Sequence, residues 1–145
     1  MTVLHKKLRL QIWDTLGAEK LTDSLPRLLY RNCAAVVFVF SVADKRSFLD
    51  LPDWITRAEQ ETGLPCPVLV GNKVDLHRER AVPDSLASDL ARENHMPFFR
   101  TSALTSFGVE GVFESIARVL LDSSVTDVSL MTPLCRSRKV KKSDV

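Results

Sequence analysis

The stretch from Ala34 to Val42, AAVVFVFSV, would present apolar side chains on both faces of any strand it forms. A strand with one wet face alternates apolar and polar residues. A strand apolar on both faces belongs inside a parallel sheet with helices above and below. This run therefore predicts a central strand of an α/β domain, and it is too short, and broken by Ser41, to cross a bilayer.

The rest of the chain fits that expectation. Leu8, Leu10 and Ile12 alternate with Arg9 and Gln11, which predicts a strand with one buried face. A stub at Thr2 to His5 is expected to pair with it through the Lys6-Lys7 region. Pro67 to Val70 and Pro97 to Ala103 read as further strands. Between them lie candidate helices. Leu21 to Arg31 is one, disturbed by Pro26, and Ser47 is expected to cap another that runs to about Glu61 and stops at Gly63 and Pro65. Pro83, Asp84 and Ser85 open a third that ends near Asn94. From Gly108 to Leu121, the residues Val109, Val112, Phe113, Ile116, Val119 and Leu120 fall on one helical stripe. Alternating strands and helices predict a mostly parallel sheet with flanking helices. Periodicity stops at Asp122, so residues 1–122 are expected to form the domain and 123–145 a polar, basic tail without a core.

Composition removes several classes. With 20 Lys and Arg against 18 Asp and Glu, net charge is +2, so no nucleic-acid surface is expected. After Cys135 the tail reads RSRKVKKSDV, a basic segment that could touch anionic membrane or stay solvated. Cys33, Cys66 and Cys135 form no CxxC pair, and His5, His77 and His95 share no metal-ligand spacing, so neither a disulfide framework nor a zinc site is expected. A reducing, cytoplasmic setting fits best.

Three loops follow strands, where ligands bind in open parallel sheets. Gly71-Asn72-Lys73-Val74-Asp75 comes after PVLV. Guanine presents an N1–H and an N2–H2 side by side, and one carboxylate can accept both, so Asp75 suits that edge. Asn72 can tie the loop and reach the base, and the stem of Lys73 can cover a base face. An NKxD match arises by chance about once in 55 chains of this length, so the plain alternative, an Asn-Lys turn with Asp75 capping the next segment, stays open. Thr101-Ser102-Ala103-Leu104 follows PFFR. A small-residue turn lets a backbone N–H approach a guanine carbonyl, although an ordinary strand-ending turn looks the same. In Trp13-Asp14-Thr15-Leu16-Gly17-Ala18-Glu19, Asp14 could meet a metal ion and Gly17 a terminal phosphate; the alternative for Asp14 is a turn cap.

Taken together, the order and spacing of the three loops resemble small GTPases of the Ras superfamily. WDTLGAE is similar to the family's WDTAGQE, GNKVDL to its GNKxDL, and TSAL to its SAK loop. Trp13, Tyr30-Arg31, Ser47-Phe48 and Trp54 resemble the Rab branch. The likeness covers roughly residues 1–121. It implies a P-loop NTPase-like fold lacking the first strand and helix. It implies Asn72, Lys73 and Asp75 with Ser102, Ala103 and Leu104 on guanine, and Asp14 and Gly17 on the magnesium and γ-phosphate side. It also implies GTP or GDP with Mg2+ as ligand, effector and regulator proteins as partners, and peripheral placement on intracellular membranes in vesicle trafficking.

The departures carry equal weight. No GxxxxGK[ST] occurs in this sequence; the family places that loop, the first strand, the first helix and switch I ahead of Met1. Hydrogen bonds to charged groups contribute about 1.5–3 kcal/mol each. Without about five of them, affinity falls by on the order of 10 kcal/mol, or about seven decades. Weak or undetectable GTP binding by this chain is therefore expected. Ala18 stands where the family has the Gln that orients the attacking water, so no catalytic residue is assigned and the enzyme question stays open. In the family fold the first strand lies between the strands formed here by Leu8–Trp13 and Ala34–Val42, so its absence would leave two open edges and a marginal or partner-dependent fragment. No CaaX box closes the sequence, and prenyl anchoring is not expected. The alternative function is a nucleotide-independent GTPase-like scaffold. An unrelated doubly wound domain would have to treat all three loops as accidents.

Overall fold

In the computed structural model, residues 2–3, 6–14 and 33–122 are described. The expected helix at Leu21 to Arg31, Gly17, Ala18 and the tail with Cys135 lie outside them.

The core is a three-stranded parallel sheet in the order β3-β4-β5. Strand β3 is Val36–Ser41, β4 is Pro67–Asn72 and β5 is Phe98–Arg100. Val37 pairs with Val68 and Val39 with Val70, while Leu69 pairs with Phe98 and Gly71 with Arg100. Helices cover both faces, as the apolar runs require. On one face lie α1 (Lys45–Leu49), α2 (Leu51–Thr62) and α3 (Asp84–Glu93). There Leu51, Ile55, Ala58, Ala87 and Ala91 pack on Phe38, Phe40 and Leu69. On the other face, α4 (Val109–Asp122) sets Val112 and Ile116 against Val68 and Val70. The stripe expected on this last helix is the one that packs.

The connections have local causes. Asp44, not Ser47, caps the helix after β3: its carboxylate accepts Arg46 N–H at 2.9 Å. Ser47 instead accepts the Ser41 N–H at 3.0 Å and donates to the Asp44 carbonyl at 2.7 Å. The helix expected to be continuous breaks at Asp50, because Pro52 has no N–H and suits only a new first turn. It ends at Gly63 with φ 69°, the left-handed conformation that glycine adopts at low cost.

Two expectations need correction. The hairpin at the start pairs β1 (Thr2–Val3) with β2 (Lys6–Lys7), so Lys6-Lys7 is a strand and not the connection. Leu8 to Trp13 forms no strand, and its alternation buries no face: Leu10 is 38% exposed and Ile12 71%. Alternation specifies a face only when a neighbouring strand supplies backbone partners, and among the described residues no strand pairs with this segment. Among the described residues β3 pairs with β4 alone, as the open edge expected there implies, and Val39 on its second face is 54% exposed.

Candidate guanine-recognition site

Two of the three motif loops meet at the carboxyl ends of adjoining strands. The first leaves β4 at Asn72 and turns at Lys73, an exposed residue with φ 64°. That left-handed backbone is uncommon for a long side chain. It is held by the Lys73 carbonyl accepting Leu76 N–H at 2.9 Å and by Val74 N–H donating to the Thr101 carbonyl at 3.1 Å. The second loop leaves β5 at Thr101 and returns to α4 through Gly108. Ser102 N–H donates to the Phe107 carbonyl at 2.9 Å and closes it. Gly108 has φ 69°, and a Cβ there would lie 2.2 Å from the Arg100 carbonyl oxygen.

Side chains then join the loops. Ser102, fully buried, donates its hydroxyl to Asp75 Oδ1 and accepts Thr105 N–H at 3.2 Å. Asn72 Oδ1 accepts the Thr101 hydroxyl at 3.2 Å and the Ala103 N–H at 3.1 Å. The plain alternative for Asp75, a cap on the next segment, does not occur: the 3-10 turn at His77–Glu79 has no side-chain cap. Sequence reasoning placed both loops on one ligand but did not pair Ser102 with Asp75, nor give Thr101 a part. The buried hydroxyl next to a strand end was the available signal.

The chemistry of these groups fits a guanine. Asp75 is half-buried, and a carboxylate has about four acceptor positions, of which Ser102 occupies one. Leu104 is 83% exposed, an apolar side chain free to lie on a flat ring, and Lys73 is exposed beside Asn72. The metal and phosphate side does not assemble in the same way. Asp14 is an exposed carboxylate, Gly17 is outside the described residues, and no cluster of three His, Cys, Asp or Glu that could hold a metal exists among the described residues. No step through magnesium follows from them.

A parallel sheet covered on both faces, with its polar loops gathered at the carboxyl ends of adjoining strands, defines a doubly wound α/β domain of the nucleotide-binding kind. The model of the Ras family matches residues 1–122. The chain is 34% identical over 117 residues to Ras-related protein Rab-13 of Bos taurus, covering 80% of this chain and 57% of that one. It is 41% identical over 115 residues to Ras-related protein RAB1BV of Beta vulgaris, covering 78% and 53%. With Ras-related protein Rab-2B of Dictyostelium discoideum it shares 34% over 133 residues, covering 91% and 65%. The chain belongs to the Ras family of small GTPases, on its Rab-like branch. It spans a little over half the length of the first two of these relatives.

Proposed function

We propose that this chain carries the guanine-recognition half of a Rab-like GTP-binding switch of intracellular vesicle traffic, and that its own nucleotide binding and hydrolysis are impaired. The observation that carries the first part is the pairing of Asp75 with Ser102 and of Asn72 with Thr101 and Ala103. These bonds hold a two-oxygen acceptor near the backbone donor of Ala103. Asp75 takes the N1–H and N2–H2 edge, the Ala103 or Leu104 N–H meets the ring carbonyl, and Lys73 and Leu104 flank the base faces.

The second part rests on the sequence. It holds no GxxxxGK[ST], and Ala18 has no polar group to orient water. Asp14 and Gly17 are proposed for the magnesium and γ-phosphate side, with too few partners in this chain for tight binding. Effector and regulator proteins, and membrane contact through the basic tail beyond residue 122, belong to the same reading. The second reading, a nucleotide-independent scaffold, is favoured by Ala18, which stands where the family has Gln.

Titration with a fluorescent GTP analogue tests this. Binding is expected to be weak and guanine-selective, and Asp75→Asn is expected to shift preference from guanine toward xanthine. Submicromolar, magnesium-dependent binding would overturn the impairment. An unchanged base preference in the variant would remove Asp75 from its role.

A further inference from the structure

Asp84 opens α3, directly after Pro83. A carboxylate in a first helical turn normally serves the free N–H groups of its own helix. Here its two oxygens go to two arginines from outside the helix. Oδ1 accepts Arg80 Nη1 at 2.5 Å, and Oδ2 lies 3.4 Å from Arg100 Nη1. One carboxylate thus holds a separate cation on each oxygen.

The two arginines belong to the two recognition loops. Arg80 follows the 3-10 turn at His77–Glu79, five residues after Asp75. The next two residues, Ala81 and Val82, donate their N–H groups to the Val42 carbonyl at 2.8 and 3.0 Å, which pins this segment to the end of β3. Arg100 ends β5, two residues before Ser102. Between them Thr101 donates its N–H to the Gly71 carbonyl at 2.9 Å, and its own carbonyl accepts Val74 N–H at 3.1 Å. A circuit therefore closes. It runs from Asp75 along the chain to Arg80, across Asp84 to Arg100, on to Ser102, and back to Asp75 through the Ser102 hydroxyl. A side chain that touches the ligand is held in place only as well as its supports are. Asp75 has two of them: the direct bond from Ser102, and the Asp84 bridge between the chain segments that carry both partners.

We propose that Asp84 is a positioning residue of the guanine site: held between Arg80 and Arg100, its carboxylate fixes the spacing of the two recognition loops. The inference rests on the guanine reading of that site. The side chains of Arg80, Asp84 and Arg100 are 22%, 39% and 51% exposed, so water screens the bridge in part and its effect is graded.

The test follows amide exchange by NMR in the full chain without ligand. Val74 and Ala103 carry N–H groups that cross from one loop to the other, and Leu69 reports the middle of β4. Asp84→Ser keeps a residue suited to a helix start and removes the charge that the arginines share. Exchange at Val74 and Ala103 should quicken about fivefold, the ceiling for one partly exposed ion pair, with Leu69 unchanged. Arg100→Ala should reproduce the effect, and Arg100→Lys should not, since it restores the cation. Unchanged exchange at Val74 and Ala103 overturns the proposal. So does acceleration shared equally by Leu69, because Asp84 would then serve only overall stability. A second arm titrates the chain with guanosine and with inosine, which lacks the N2 amino group and so reports the alignment of the second Asp75 oxygen. The preference for guanosine should fall about threefold in Asp84→Ser, and a preference that stays the same overturns the positioning role. A wild-type chain that does not distinguish the two nucleosides refutes the guanine reading itself, while the exchange arm still decides whether Asp84 fixes the loops.

Discussion

Gly63 and Gly108 share a backbone conformation and differ in the space around it, which makes them a controlled pair. Both have φ 69°. A Cβ at Gly63 meets nothing within 4 Å, whereas a Cβ at Gly108 would sit 2.2 Å from the Arg100 carbonyl oxygen. Alanine at either site takes on the left-handed penalty of about 1–2 kcal/mol. At Gly63 nothing is added, so Gly63→Ala should cost about 1 kcal/mol, at the low end of that range. At Gly108 the clash is with backbone at the end of β5, which cannot rotate aside. Forced repacking adds about 1–3 kcal/mol, giving roughly 2–5 kcal/mol in total. Domains of this size are stable by about 5–15 kcal/mol, so Gly108→Ala should approach the limit of folding. Urea unfolding followed by fluorescence of the half-buried Trp54 measures both variants. Equal losses in the two, within about 0.5 kcal/mol, would refute the reasoning, because the shared φ would then account for everything.

Leu69 is fully buried at the centre of β4, and Leu69→Ala should cost about 2–5 kcal/mol by the same unfolding assay. Ser102→Ala removes a hydrogen bond to the Asp75 carboxylate and one from the Thr105 amide; a loss of about 1–2 kcal/mol is expected, since water can reach both orphaned partners. Burial pushes the thiols of Cys33 and Cys66 above the ordinary thiol value, with a backbone hydrogen bond at Cys33 acting weakly the other way. In the unfolded chain these groups therefore ionise first, so their contribution to stability is constant below the ordinary thiol pKa and declines as pH rises through it toward the raised value. Alkylation of the native chain should accordingly lag behind that of the urea-unfolded chain at pH 8, and equal rates would remove the burial effect.

The sequence revealed those features whose physical cause is local. The doubly apolar run at Ala34 to Val42 marked a sheet needing cover on both sides, and the stripe from Val109 to Leu120 marked the helix that provides it. Pro83 and Asn94 bounded α3 as expected. What was not legible depends on neighbours. The alternation in Leu8 to Ile12 is a sound strand pattern, yet among the described residues no strand pairs with it, and Leu10 and Ile12 stay exposed. Ser47 and Asp44 are both competent caps, and only the backbone path after β3 decides between them. In the candidate site, residue types singled out the two loops that the structure joins. That Ser102 would hold Asp75 required the register of β4 on β5.

The Ala103 N–H already donates to Asn72 Oδ1 at 3.1 Å. On the proposed guanine reading, an incoming purine carbonyl would either draw that hydrogen away or share it, giving up part of a bond that contributes about 0.5–1.5 kcal/mol. Selectivity at this position would then be a contest between an internal acceptor and an external one. A ring with an amino group there, as in adenine, cannot enter the contest at all: it brings a donor to meet a donor. Such a base would leave the internal Ala103–Asn72 hydrogen bond undisturbed.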